Sequence, residues 1–365
     1  MYNKVYFCMS DIHSFYDEMM DALNKAGFDP SNKRHVLLII GDIFDRGKKP
    51  LEIYNFLKSL PRDQRILIRG NHESLLKELV SKNFPESHDF HNGTVDTLYY
   101  LNGMLDSRQY KTWINGRIEK PINELKKKYG KIDESNFMEF YEEKSKIVNK
   151  FSAASVKRFR KAAHSKIVKE IIEWIDSDEW VDYYELDKYI FVHSFIPLKT
   201  EWKHYNQYGY LSDVEKSYDP TWRTFSREDF EEASWGCPYR SFLDGYFNEE
   251  LKNGKVLVCG HWHAFDFKNH FEGTDYDFDT YDPKDIDWDI FYSNHLIALD
   301  ACTVVSHQVN VMLIDDESWQ CHNSDGILMC EKLSKDGKLL FWKLYPEYNS
   351  DDIEEFIRRT YEKEE

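Results

Sequence analysis

The segment Val36-Leu37-Leu38-Ile39-Ile40-Gly41-Asp42-Ile43-Phe44-Asp45-Arg46-Gly47 runs five apolar residues straight into a polar cluster, and Pro50 shortly afterwards opens a helix-period stretch to Leu60. A short apolar run rich in Val, Ile and Leu and bounded by turn residues reads as a buried strand, and proline suits a first helical turn. The same grammar recurs on both sides. Val5–Met9 leads into Ser10-Asp11-Ile12-His13, and Ile66–Ile68 leads through Arg69 into Gly70-Asn71-His72-Glu73. Tyr189–Val192 leads into His193-Ser194, and Val256–Cys259 into Gly260-His261-Trp262-His263. Helix-period segments at Phe15–Lys25 and Ser74–Lys82 fill the gaps. Strand, polar turn and helix in alternation predict an α/β fold, which gathers ligands at the carboxyl ends of its strands. All five polar clusters fall there.

The 365 residues are enough for two domains or one elaborated domain. Aromatic content of 16% and hydrophobic content of 41% exclude a wholly disordered chain. A net charge of −17 speaks against a general polyanion-binding surface, so a phosphate-bearing ligand needs a local device such as a metal ion. The six cysteines show no close pairing and three lie in or beside apolar runs, which predicts buried free thiols in a reducing compartment. With no apolar stretch at the N-terminus and none of about 20 residues elsewhere, the expected location is cytoplasmic, away from any membrane.

Residues 85–187 lack the strand–turn–helix grammar and read as helical, with apolar periodicity around Phe137–Val148 and Ile167–Ile175. Within 111–170 there are 16 Lys or Arg against 8 Asp or Glu, a net of +8, so the remainder carries −25. Such a stretch is either a solvated helical surface or a docking face for an acidic partner or nucleic acid. Residues 199–293 include aromatic, acidic stretches, with the Asp275–Asp289 run the most biased, and read as a lid or loops; the missing glycine and closing glutamate favour this over a calcium loop of the EF-hand kind. His295–Asp300, Gln308–Ile314 and Lys338–Leu344 read as strands of a second sheet.

Asp11 and His13, one residue apart, point the same way from an extended segment. Asp42 adds a carboxylate able to bridge two ions, and Asn71, His193, His261 and His263 add one oxygen and three imidazoles. Mixed nitrogen and oxygen ligation without thiolate suits Mn²⁺, Fe, Zn²⁺ or Ni²⁺. The set has the size of a two-metal site: Asp11, His13, Asp42 and His263 for one ion, and Asp42, Asn71, His193 and His261 for the other.

On Asp11-Ile12-His13, Gly41-Asp42 to Asp45-Arg46-Gly47, Gly70-Asn71-His72-Glu73, His193 and Gly260-His261, the chain resembles the calcineurin-like metallophosphoesterases, in particular the bacterial and phage serine/threonine phosphoprotein-phosphatase branch. His91-Asn92-Gly93-Thr94-Val95-Asp96-Thr97-Leu98 and Ile297-Ala298-Leu299-Asp300 extend the likeness. The resemblance implies an α/β/β/α fold, a β-sandwich flanked by helices, as one domain over 1–365. Its catalytic core would be 1–98 and 186–345, interrupted by a basic helical insertion at 99–185. It also implies two divalent metals, Mn²⁺ first. Two departures stand out. Ser194-Phe195 follows His193 where the branch has Gly or Ala, and His263 adds a histidine that the phosphodiesterase relatives carry. The second phosphate-binding arginine expected near a Trp segment has its nearest counterpart in Arg240, within Trp235-Gly236-Cys237-Pro238-Tyr239-Arg240.

Phosphate-ester hydrolysis needs a nucleophile, neutralised phosphoryl oxygens and a proton for the leaving group; two metals supply the first two. Arg46 adds a permanently charged planar fork, and Asn71 lies at the phosphate. His72, next to Asn71, is placed to protonate the leaving group, with Asp45 holding its imidazole. The leading expectation is a phosphomonoesterase acting on phosphorylated protein or small phosphoesters. A symmetric dinucleoside polyphosphate hydrolase comes next, then a phosphodiesterase or nuclease, then a catalytically silent scaffold.

Overall fold

The computed structural model describes residues 4–132, 136–205, 211–277, 280–293, 295–315, 321–322 and 328–330. The strand expected at Lys338–Leu344 and the end of the expected core lie outside these residues. Fourteen strands are described: β1 Val5–Met9, β2 His35–Ile40, β3 Arg65–Ile68, β4 Trp180–Val181, β5 Tyr184–Glu185, β6 Tyr189–Phe191, β7 Lys199–Tyr205, β8 Leu211–Ser217, β9 Val256–Cys259, β10 Phe291–Tyr292, β11 Leu296–Ala298, β12 Met312–Asp315, β13 Cys321–His322 and β14 Leu328–Cys330.

One sheet has the order β14-β13-β12-β1-β2-β3-β4, the second β10-β11-β9-β6-β5, and β7 and β8 form a separate hairpin. β1 to β4 pair in parallel, as do β6, β9 and β11. Parallel neighbours need crossover connections, and the sequence supplies them as helices. These are α1 Tyr16–Lys25, α2 Pro50–Ser59, α3 Asn71–Ser81, α4 Ser87–His91, α5 Thr94–Leu101, α6 Ser107–Tyr129, α7 Phe137–Ala163 and α8 Lys166–Ile175. On the second sheet they are α9 Arg227–Ala233, α10 Pro238–Leu243, α11 Asn248–Lys252 and α12 Ala264–Phe271.

The period of two in each strand sorts the core into layers. From β1 and β2, Tyr6, Cys8, Val36, Leu38 and Ile40 turn inward onto Tyr189, Phe191, Val256, Val258 and Ile297 of the second sheet. Their alternates Phe7, Met9, Leu37 and Ile39 face outward onto Met19, Leu57, Leu76, Leu98, Phe159 and Ile171 of the first helical layer. On the far side, Ile190, Leu257, Cys259 and Ala298 pack against Trp222, Phe230, Phe247 and Phe267. Both faces of the central strands β1, β2, β6, β9 and β11 are dry, which is why they read as continuous apolar runs rather than as alternating ones. The architecture is the expected α/β/β/α sandwich.

Five details depart from the sequence reading. Two concern strands: β12, read as part of a second sheet, pairs with β1 in the first, and β4 and β5 lie within the stretch read as helical. Three concern helices. First, α3 starts at Asn71 rather than Ser74, because Glu73 turns back and accepts from the Gly70 amide at 2.8 Å. Asn71 and His72 therefore stand in the first helical turn. Second, residues 222–252 and 264–271 form short helices and turns that bury Trp222, Phe230, Phe247 and Phe267, so these parts build the outer layer of the second sheet rather than a lid or loops. Much of the aromatic richness here is core, while Trp235 stays exposed. Third, the helical periodicity at Phe137–Val148 extends to Ala163, and the end of α7 docks Phe159, Ala162 and Ala163 on the first core.

Cys8, Cys259 and Cys302 are buried, Cys237 is half-buried, and all four are free thiols, as expected. No helix among the described residues is long and apolar enough to cross a membrane.

Candidate metal and phosphate site

The parallel strands all end on one edge of the sandwich, and their following turns converge there. Asp11 and His13 follow β1, Asp42 to Arg46 follow β2, Asn71 and His72 follow β3, His193 follows β6, and His261 follows β9. Convergence requires unusual backbone. Asp11, His13, Asp42, Asp45, Arg46 and His261 all have positive φ, between 49° and 74°. Residues with a Cβ pay about 1–2 kcal/mol each for that region, and such strain clusters where side chains must be aimed. Gly41, at φ 77°, leaves space that a Cβ would take from His193 Nδ1 and from Gly70 Cα.

Asp42 is the hinge of the cluster. Its Oδ2 lies 3.8 Å from His13 Nε2 and 3.9 Å from His72 Nε2, while Oδ1 lies 3.4 Å from His193 Nε2. His13, Asp42 and His72 form one group whose donor atoms are all within 4.8 Å of one another, and Asp42, His193 and His261 form a second. Asp11 Oδ1 stands 3.9 Å from His13 Nε2, and Asn71 Oδ1 is 2.9 Å from His193 Nε2. The ring nitrogens facing away are tied to backbone carbonyls: His13 Nδ1 to Phe44 at 3.0 Å and His193 Nδ1 to Ile40 at 2.9 Å. That arrangement fixes each ring and leaves Nε2 facing the cluster.

Electrostatics show how crowded the buried charges are. Burial pushes Asp11 up to about 8, and Asp300 and Asp42 add to the push. Burial also opposes ionisation of Asp42, yet His193, His72 and His13 hold it well below the usual carboxylate range. His193 is pushed up to about 10: burial disfavours its charge, but Asp42 and Asp11 outweigh it. Burial and His193 together lower His261 to about 3. Buried carboxylates and imidazoles sharing one edge, with neither thiolates nor lysines among them, suit divalent cations.

Asp45 is fully buried and lies 2.8 Å from His72 Nδ1. Arg46, next in sequence, is exposed at the mouth; its Nη1 reaches His13 Nε2 at 3.0 Å and its Nη2 reaches His72 Nε2 at 3.3 Å. Nine of the eleven residues singled out from the sequence are thus brought together. His263 joins neither donor group: its Nδ1 pairs with Asp266 at 3.2 Å and its Nε2 faces Asp300 at 3.9 Å. Arg240 lies on the exposed side of α10 and makes no hydrogen bond or ion pair with the cluster among the described residues.

Sequence reasoning left two bracing acids without a role. Glu73 is buried and accepts from the amides of Gly70, Asp42 and Ile43, tying the turn after β2 to the one after β3. Asp300, after β11, stands between His263 and Asp11. Glu73 had a usable signal, since Glu three residues after a cap position reads as part of a capping box.

Residues 5–265 match the calcineurin-like phosphoesterase family. The chain belongs to that family. Among curated relatives, the symmetrical bis(5'-nucleosyl)-tetraphosphatase of Klebsiella pneumoniae is 29% identical over 124 residues, 33% of this chain and 40% of the relative. Its counterpart in Buchnera aphidicola is 33% identical over 108 residues, 27% of this chain and 36% of the relative. The chain thus spans well under half the length of these relatives. A solved structure of a cold-active protein tyrosine phosphatase aligns over 93% of this chain and 81% of its own, with a TM-score of 0.46 and 13% identity.

Proposed function

We propose that this calcineurin-like phosphoesterase hydrolyses phosphate monoesters, phosphoserine and phosphothreonine or small phosphoesters among them, with two divalent ions, Mn²⁺ first. The observation that carries the reading is Asp42, whose two oxygens face separate groups of imidazoles. One ion would be held by Asp11, His13 and Asp42, the other by Asp42, Asn71, His193 and His261. When bound, such ions offset phosphoryl charge and acidify water.

The remaining work falls to the chain's own residues. Arg46 presents its planar fork at the mouth, between His13 and His72, where it can grip phosphoryl oxygens by paired hydrogen bonds. Asp45 orients the His72 ring through Nδ1, leaving Nε2 turned to the pocket to give its proton to the leaving oxygen. Burial disfavours charge on His72, as does Arg46, but Asp42 and Asp45 outweigh both and raise its pKa, which favours the proton-bearing ring that this step calls for.

A second reading, symmetric cleavage of dinucleoside tetraphosphates, is supported by the names of the curated relatives. It also fits Trp235, which is 52% exposed and stands edge-on to His261 at 6.3 Å, offering a face on which a base can stack. The test is hydrolysis of p-nitrophenyl phosphate, bis(p-nitrophenyl) phosphate and diadenosine tetraphosphate by the Mn²⁺-loaded chain, with metal content measured on the same sample. The monoesterase reading expects p-nitrophenyl phosphate to be turned over first. It also expects Asp42→Asn to lose metal and activity together, and His72→Asn to keep metal while kcat falls about 10²–10⁴-fold. Preference for the dinucleotide moves the assignment to the second reading, and bound metal without turnover of any ester overturns both.

A further inference from the structure

Asp45 is completely buried beside His72, and its neighbours come from an element that the proposed chemistry does not use. Thr94 Oγ1 donates to Asp45 Oδ2 at 2.7 Å, and Thr97 Oγ1 donates to Oδ1 at 2.8 Å. Both threonines are buried to 0% exposure on the first turn of α5. Three residues apart on a helix, they point the same way. Each takes one oxygen of the carboxylate, and His72 Nδ1 meets Oδ2 at 2.8 Å from another direction. The helix is pressed against the same loop, because Gly93, its capping residue at φ 82°, leaves no room for a Cβ next to the Arg46 amide. Asp45 itself has φ 74°, a conformation that persists only when its surroundings hold it.

We infer that Thr94 and Thr97 are positioning residues for the leaving-group step: they fix the plane of the Asp45 carboxylate, and through it the orientation of the His72 ring. The inference rests on the phosphoesterase reading for its catalytic consequence, while the geometry of the clamp is independent of turnover. A carboxylate with two oxygens and one histidine partner is free to swing about its Cβ–Cγ bond. Hydroxyl donors on both oxygens remove that freedom, and they leave the second acceptor site of Oδ2 to the imidazole. Valine in place of either threonine keeps the shape but removes the donor, so the loss falls on the carboxylate's orientation rather than on packing.

The closing experiment uses the full Mn²⁺-loaded chain with Thr94→Val, Thr97→Val and the double variant, and Thr→Ser at both positions as the hydroxyl-retaining control. Two aryl phosphates are compared, phenyl phosphate with a poor leaving group and 2,4-dinitrophenyl phosphate with a good one. Proton donation matters for the first and little for the second. The expected result is a fall in kcat on phenyl phosphate of roughly tenfold per valine and about a hundredfold for the double variant. KM and metal content stay unchanged, 2,4-dinitrophenyl phosphate turnover changes less than about twofold, and the serine variants recover. The second readout needs no turnover and is taken on the full chain without Mn²⁺, whose paramagnetism would erase the signal: the NMR signal of the His72 Nδ1 proton, assigned by its loss in His72→Asn, moves or exchanges faster in the valine variants and stays in place in the serine ones.

Equal losses on both esters, or an unmoved Nδ1 signal in the double valine variant, overturn the clamp. A wild-type chain that hydrolyses neither ester overturns the phosphomonoesterase reading, and the Nδ1 signal then decides the clamp by itself.

Discussion

At the scale of single residues, the site depends on side chains held in backbone conformations that they do not favour. Asp42 at φ 53° and Asp45 at φ 74° follow directly on a strand whose last residues are fully buried. The chain turns sharply at Gly41 to permit this, and Gly41→Ala would set a Cβ against His193 Nδ1 and Gly70. The expected outcome is a protein less stable by about 2–4 kcal/mol, from steric conflict plus a strained φ, with reduced Mn²⁺ uptake; thermal melts and metal analysis check it. Residue types along the chain announced the side chains that converge at this edge. Asp11, His13, Asp42, Asn71, His193 and His261 were legible because each follows an apolar run. The pairing of His263 with Asp266 and its approach to Asp300 were not legible, because the choice between facing the cluster and facing a neighbouring acid is made by the turn into α12.

At the scale of elements, the crossovers are tied together by a few polar knots. Glu179, in the turn between α8 and β4, binds Arg65 of β3, Lys58 of α2 and the indole nitrogen of Trp174 in α8, the last at 2.9 Å. Burial works against its charge, but Arg65, Trp174 and Lys58 lower its pKa to about 2. A carboxylate held below its unfolded value stabilises the fold above about pH 4.5, and that contribution disappears as pH falls toward 2. Glu179→Gln is expected to cost about 1–3 kcal/mol at neutral pH, since Arg65 is left buried without its acid partner. It should also flatten the acid limb of stability, which denaturant titrations at several pH values would show. The helices of this layer were readable from period and from Pro50. Their boundaries were less so: the start of α3 was decided by Glu73 folding back on Gly70, a contact that no periodicity reports.

For the molecule as a whole, the two sheets bring together groups from positions 11 to 300 that no local structure would assemble. Asp11, Asp42, Asp300 and Glu73 are buried close enough for Asp11 and Glu73 to be raised, burial being the larger cause and neighbouring carboxylates the next. Such crowding favours any cation that binds the folded state and not the unfolded one, so Mn²⁺ should raise the melting temperature in a concentration-dependent way. Chelation should reverse the rise, and Asp42→Asn should show none; a scanning-fluorimetry series with and without EDTA checks this. The sequence by itself determined the α/β class, the strand cores, the strand-end placement of the clustered Asp, Asn and His residues and the family likeness, because apolar period and turn residues act over neighbouring positions. Only the tertiary structure decided that Trp222, Phe230, Phe247 and Phe267 are core and not lid. It alone set the two threonines of α5 on Asp45 and turned His263 toward Asp266. Each of these is a contact between residues distant in sequence or a choice of side-chain direction, and its energy exists only once both sheets and their helical layers have closed on one another.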